Sequence, residues 1–143
     1  MTKTFKPKDP GTARSWQLVD ATDKPLGRLA VSIANTLRGK NRPTFDPSVD
    51  MGDFVIVVNA EKVRLTGRKA EQKEYDRYSG WRGGRKTFTA KTMLEQHPDR
   101  VIMEAVWGML PKNTISRKMM TRIRVYRGAE HPHAAQAPVT AAF

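Results

Sequence analysis

Residues 78–87, with the sequence YSGWRGGRKT, combine side chains and backbone that could hold phosphate groups. The ten positions include three glycines, three basic residues, a Trp and a Tyr. Gly80, Lys86 and Thr87 match the nucleotide-binding pattern G-x-x-x-x-G-K-[ST], which fails only where Arg85 stands in place of the second glycine. The chemistry of this stretch therefore favours either a nucleotide or a nucleic acid as its ligand.

Three interpretations of this stretch are open. A phosphate loop needs the second glycine, a hydrophobic strand before it and a helix directly after it, but Arg85 is bulky and the preceding segment is charged. The glycines could also merely turn a solvated chain. RNA binding accounts for all ten residues, because the cations neutralise phosphates and Tyr78 and Trp81 can stack on unpaired bases. RNA binding is the hypothesis that we favour.

Two other clusters contain potential metal ligands. Asp46, Asp50 and Asp53 lie close in sequence, but their spacing matches no known metal loop, and Asp before Pro or before a strand is ordinary turn chemistry. The Glu-His-Pro-His stretch at 130–133 lacks further ligands. There is no cysteine, which excludes thiolate sites, and no Ser, His and Asp set has a hydrolase spacing. We expect no catalytic residue, no metal site, no cofactor and no small-molecule substrate.

The distribution of charge favours a polyanionic partner. The chain has 26 Lys and Arg against 14 Asp and Glu, with a net charge of +12. Residues 62–91 contain ten basic and three acidic residues, and residues 112–127 contain six basic residues and none that is acidic. Because the rest of the chain is nearly neutral, this pattern predicts two cationic surfaces for nucleic acid.

The length of 143 residues fits one domain. We predict an N-terminal arm at 1–14, an α/β domain at 15–128 and a tail at 129–143 that does not pack deeply. The polar start and the absence of an apolar run of 18 residues predict a cytoplasmic protein with no membrane partner.

The elements that must position these residues begin with a βαβ unit. WQLVDA, from Trp16, predicts a strand, and Thr22 or Asp23 could cap the helix that follows, with Pro25 near its first position. The apolar spacing predicts that this helix runs to about Arg38. Residues 54–60, FVIVVNA, predict a strand buried on both faces, as in a parallel sheet.

The second half alternates between polar and amphipathic segments. Residues 73–79 predict an exposed strand that leads into the glycine-rich loop. A short helix capped by Thr87 or Thr89 should end at His97, and a longer one should end at Pro111. Residues 114–122 predict a helix with a packed face and a basic face, and the alternation in residues 122–128, RIRVYRG, predicts a half-exposed strand after it.

Several of these segments together resemble the bacterial large ribosomal subunit protein thirteen (uL13) family. The resemblance covers about residues 16–133 and includes DATDKPLGRLAVSIANTLRGK, YSGWRGGRK and, as its most specific part, GMLPKN followed by SRKMMTRIRVYRG. It implies a compact three-layer α/β domain with a small, mainly parallel sheet and no catalysis. It also implies early binding to 23S rRNA in 50S assembly, contacts with other large-subunit proteins and binding of the chain's own mRNA.

Carried over by position, the resemblance and the charge pattern give one set of candidate RNA contacts. These are Lys40, Arg42, Arg64, Arg68, Lys69, Arg77, Tyr78, Trp81, Arg82, Arg85, Lys86, Lys112, Arg117, Lys118, Arg122, Arg124, Arg127 and His131. Two other functions stay open from the sequence. One is a phosphotransferase that uses residues 80–87 with Asp50 or Asp53 on a metal, and the other is nonspecific coating of DNA.

Overall fold

The computed structural model describes residues 6–8 and 14–141, so most of the predicted N-terminal arm lies outside the described residues. The strands are β1 (Trp16–Asp20), β2 (Phe54–Val58), β3 (Glu74–Tyr78), β4 (Arg85–Thr89), β5 (Ile123–Val125) and β6 (Val139–Thr140). The helices are α1 (Leu26–Arg38), α2 (Lys69–Gln72), α3 (Ala90–Gln96), α4 (Pro98–Met109) and α5 (Thr114–Met120).

The core is built on a four-stranded sheet with the order β5-β2-β1-β6, in which every neighbouring pair is parallel. Strand β2 lies inside the sheet, and Val55, Ile56 and Val57 have no exposed surface. This agrees with its continuous apolar sequence, because a strand covered on both faces has no polar side. The predicted α/β fold with a small, mainly parallel sheet is confirmed.

Helix α1 connects β1 to β2 and confirms the predicted βαβ unit. Its buried face follows the predicted spacing from Leu26 to Leu37, and Gly39 is its C-cap. The predicted cap was wrong: Pro25 is the N-cap residue, and it makes no side-chain hydrogen bond. Thr22 is held elsewhere, because its N–H and hydroxyl both donate to Asp20 Oδ1, at 3.0 and 2.7 Å.

The other helices end close to their predicted limits. Thr89 caps α3 by accepting from the N–H of Thr92, and α4 begins at Pro98 and ends before Pro111. Helix α5 stops at Met120, so Ile123, which continued its apolar spacing, belongs to strand β5 instead. Within the described residues, no helix is long and apolar enough to cross a membrane.

The C-terminal segment makes a contact that its Ala- and Pro-rich sequence did not predict. Val139 and Thr140 pair in parallel with Gln17 and Leu18 and form the edge strand β6. Both β6 residues are exposed, so the strand is held by backbone hydrogen bonds, including one from the N–H of Ala141 to Leu18 at 2.8 Å. The tail therefore lies on the sheet without entering the core.

Candidate nucleic-acid interface

The glycine-rich stretch forms the tip and one strand of a β-hairpin. Strands β3 and β4 pair antiparallel, with Tyr75 opposite Phe88 and Arg77 opposite Lys86. Tyr75 is buried and Phe88 packs against the core, so this pair attaches the base of the hairpin. Because side chains alternate along a strand, Arg77 and Lys86 lie on the same face nearer the tip, where both are exposed.

The end of the hairpin, residues 78–84, presents two aromatic rings to solvent. The exposed fractions of Tyr78 and Trp81 are 65% and 80%, which is unusual for such large apolar side chains. Gly80 and Gly83 have positive φ angles of 89° and 74°. A Cβ on Gly84 would lie 2.0 Å from Ser79 Oγ and 3.0 Å from the carbonyl oxygen of Trp81, so the third glycine allows a close approach that another residue would permit only if the Ser79 side chain moved. The glycines thus shape a tight turn that holds the two aromatic residues outward.

This geometry overturns the phosphate-loop interpretation. Gly80 lies in a turn between two antiparallel strands, and Lys86 and Thr87 lie inside β4, so the next helix, α3, begins only at Ala90. A phosphate loop instead curls around its ligand at the N-terminus of a helix. Strand β4 was not predicted from the sequence, because its residues RKTFT are mostly polar and, apart from Phe88, exposed.

The charges on the hairpin are mostly free to meet a ligand. Arg85 forms an ion pair with Asp76 at 2.6 Å, but both side chains are exposed, so the pair contributes little stability. Arg77, Arg82 and Lys86 form no ion pair within the described residues. The hairpin therefore combines unpaired cations with exposed aromatic rings.

A second basic surface follows α4. Asn113 caps α5 by accepting from the N–H of Ser116 at 2.8 Å, and this cap fixes the direction of the helix. Met119 is buried on one face, whereas Arg117 and Lys118 are exposed on the other. Before the helix, the Lys112 ammonium lies 4.1 Å from the centre of the Trp107 ring. The predicted division of this helix into a packed face and a basic face is confirmed.

Arg122 is not on this surface and corrects the candidate set. Its side chain is 8% exposed, and its guanidinium donates to both carboxylate oxygens of Asp50 and, at 3.0 Å, to the carbonyl of Leu37. Arg14 lies 3.5 Å from the same carboxylate. The Nε–H of Arg122 has no hydrogen-bond partner among the described residues, but it is buried, so this arginine offers no accessible donor to a phosphate and serves the fold.

The predicted aspartate cluster is likewise occupied by the protein itself. Asp53 accepts from the Arg42 guanidinium and from the N–H of Ser15. Asp46 accepts from the hydroxyl and N–H of Ser48, and these bonds hold its pKa below the ordinary value. No group of three potential metal ligands exists within the part of the chain that the structure describes.

The remaining candidates differ in how accessible they are. Arg42 and His131 are half-buried, and Arg127 lies 3.6 Å from Glu61 and donates to the carbonyl of Glu95. Lys40 and Arg124 are exposed. Arg64, Arg68 and Lys69 are also exposed, in the segment between β2 and β3. These last three residues lie outside both the hairpin and the α5 region.

A polar contact joins the ends of the two central strands. Asn59, with a φ of 55°, donates from Nδ2 to Asp20 Oδ1 at 3.0 Å. This bond, followed by those from Thr22, lowers the pKa of Asp20 below its ordinary value. Elsewhere, burial and the nearby Glu104 carboxylate raise the pKa of Tyr75. The Asn59 side chain therefore makes a structural hydrogen bond to Asp20 at the end of the strand and is not available to a ligand.

Sequence reasoning missed two cations, Arg28 and Lys73, that line a groove together with Arg64 and Lys69. Arg28 lies on α1, far in sequence from both basic segments, and Lys73 is the first residue of the predicted strand 73–79, directly before the observed β3. A signal was present in α1, because Val31 is apolar but lies off the buried stripe of the helix and is 46% exposed.

Comparisons with known proteins agree with the architecture. The family model for ribosomal protein L13 matches residues 14–132. The large ribosomal subunit protein uL13 of Mycobacterium avium (strain 104) is 54% identical over 136 residues, which cover 95% of this chain and 92% of that protein. The protein of the same name from Prochlorococcus marinus (strain MIT 9312) is 55% identical over 139 residues, 97% of each chain.

A third relative shows a similar level of identity. The large ribosomal subunit protein uL13 of Synechococcus elongatus is 54% identical over 138 residues, which cover 96% of this chain and 91% of that protein. All three matches span the hairpin and the α5 region as well as the core. The chain therefore belongs to the ribosomal protein L13 family.

Proposed function

We propose that this chain is a structural constituent of the large ribosomal subunit that binds 23S rRNA early in 50S assembly. Family membership supports the ribosomal role and a location on the cytoplasmic ribosome, and it rejects the phosphotransferase hypothesis, because the family is structural and not enzymatic. The single observation that carries RNA contact is the hairpin, where Tyr78 and Trp81 are exposed beside unpaired cations.

In this proposal, two separate surfaces bind RNA. The hairpin surface comprises Arg77, Tyr78, Trp81, Arg82, Arg85 and Lys86. The α5 surface comprises Lys112, Arg117, Lys118, Arg124 and Arg127. Cations on both surfaces replace counterions condensed on RNA, which lowers the cost of bringing two RNA segments together. The exposed rings add stacking on unpaired bases, and stacking tolerates many sequences.

Several expectations from the sequence remain predictions. They are RNA contacts by Lys40, Arg42, Arg68 and His131, binding of the chain's own mRNA, and the division into an arm at 1–14, a domain at 15–128 and a tail at 129–143. We propose that the arm lies against RNA, because its Lys- and Pro-rich composition cannot form a core of its own.

A competition binding series tests the proposal. The full chain would be titrated with fragments of large-subunit rRNA, an unrelated structured RNA of equal length, duplex DNA and ATP, at several salt concentrations. We expect selective binding to particular rRNA fragments at physiological salt and no displacement by ATP. Equal affinity for all nucleic acids would contradict the proposal and favour nonspecific coating instead.

A further inference from the structure

A groove lies between α1, residues 64–73 and α4, with a volume of about 910 Å³. Its floor is aliphatic: Val31 and Met109 are 46% and 39% exposed, and Leu65, which packs against the core, also lines the groove. Gly27 and Gly108 also line it, and a Cβ on either would meet no atom within 4 Å. The missing side chains leave room for another chain to approach the two helices closely.

The rim of this groove is strongly cationic. Arg28, Arg64, Lys69 and Lys73 line it, against the single carboxylate of Glu104. None of the four cations forms an ion pair with the described part of the chain. An aliphatic floor within a rim of unpaired cations is complementary to an occupant with apolar side chains and flanking negative charges.

The floor decides between a protein and RNA as that occupant. Unpaired RNA bases are held by aromatic side chains, as Tyr78 and Trp81 could hold them on the hairpin. None of the described residues that line the groove is aromatic. Exposed Val and Met side chains instead bury well against Leu, Ile or Met from a peptide segment, and the cations pair with its carboxylates.

We infer that the groove between α1 and α4 docks a segment of another protein whose aliphatic side chains are flanked by Asp or Glu. The inference rests on the proposed function, because the partner is then another constituent of the large subunit. It assigns Arg64 and Lys69 to a protein contact and removes them from the RNA-facing set. Arg28 and Lys73, which lay outside that set, join them.

Site-directed photo-cross-linking in reconstituted large subunits tests this. Val31 would be replaced by p-benzoylphenylalanine in the full chain, and particles would be assembled from purified rRNA and the other large-subunit proteins. We expect a cross-link to one protein, mapped by mass spectrometry to an aliphatic segment with flanking carboxylates. Adding Arg64→Glu and Lys69→Glu should reduce its yield at least about fivefold, because both charges then repel the partner.

Val139, which is also an exposed valine but lies on β6, provides the matched position and should not give this cross-link. Met109 provides a second probe of the groove if the Val31 variant fails to enter particles. A cross-link from either groove position to rRNA, or none in particles that contain the chain, would overturn the inference. Failure of the unmodified chain to enter particles would instead refute the proposed function, and the docking site would fall with it.

Discussion

Residue type alone does not distinguish an arginine that faces a ligand from one that supports the fold. Arg122 lies among five other cations and no acid between residues 112 and 127, so the sequence placed it with the RNA contacts. Its partner Asp50 is 72 residues away in the chain. Only the parallel pairing of β5 with β2 brings the two residues together, and no local pattern encodes that contact.

Replacement of this arginine should destabilise the protein. Arg122→Ala leaves the Asp50 side chain, which is 13% exposed, with Arg14 as its remaining cation among the described residues, so we expect the free energy of unfolding to fall by about 2 to 3 kcal/mol. Urea denaturation followed by circular dichroism measures the change. Arg124→Ala removes the same charge from the surface and should change stability by less than about 0.5 kcal/mol. Equal stability of the two variants would show that Arg122 does not hold the interior.

Trp81 should affect binding without affecting the fold. Its ring is 80% exposed and has no core contact to lose, whereas stacking on a base is worth about 1 to 3 kcal/mol. Trp81→Ala should therefore weaken rRNA binding by that amount, at an unchanged melting temperature. Trp81→Phe keeps a ring and should retain most of the affinity. Undiminished binding by the alanine variant in a filter-binding assay would remove Trp81 from the interface.

At the scale of elements, the sequence predicted those whose signal is local. Helix α1 and strand β2 each carry their apolar pattern within their own residues. Strands β4 and β6 were not predicted, because a polar strand has no apolar pattern of its own and forms only by pairing with another strand. The partner of β6 is β1, which lies at the other end of the chain. The hairpin's exposed aromatic residues were still identified, since their types and neighbours reveal them without knowledge of the pairing.

Gly52 is constrained by its close contact with helix α1, although in the sequence it looks like an ordinary turn residue. A Cβ there would lie 1.7 Å from the carbonyl oxygen of Leu37, in the last turn of α1. Because backbone cannot rotate away as a side chain can, Gly52→Ala should lower the free energy of unfolding by about 3 kcal/mol or more. Gly108→Ala, with no atom within 4 Å of its Cβ, is the control and should be neutral or slightly stabilising. Thermal and urea unfolding measure the stability of both variants. A similar change in the free energy of unfolding for Gly52→Ala and Gly108→Ala would mean that α1 can shift to admit the extra methyl group, and would contradict the prediction.

At the scale of the whole molecule, cations serve three different purposes. In the proposed function, the hairpin and α5 surfaces present mostly unpaired cations to RNA. The interior pairs Arg122 with Asp50, and the groove between α1 and α4 combines charge with an aliphatic floor. A net charge of +12 therefore overstates what RNA can use. The salt dependence of binding separates these roles, because only cations that displace counterions from phosphate contribute to its slope.

Paired charge removals on the free chain should differ by location and not by number. Arg82→Ala with Lys86→Ala on the hairpin, and Arg117→Ala with Lys118→Ala on α5, should each reduce the slope of log K against log salt by about 1.4 to 1.8. Combined, the four changes should add, since the proposed function assigns the two surfaces to separate RNA segments. Arg28→Ala with Lys73→Ala removes the same charge from the groove and should leave the slope nearly unchanged. Equal reductions from all three pairs would mean that RNA senses only the overall field of the protein, and the division into surfaces would be wrong.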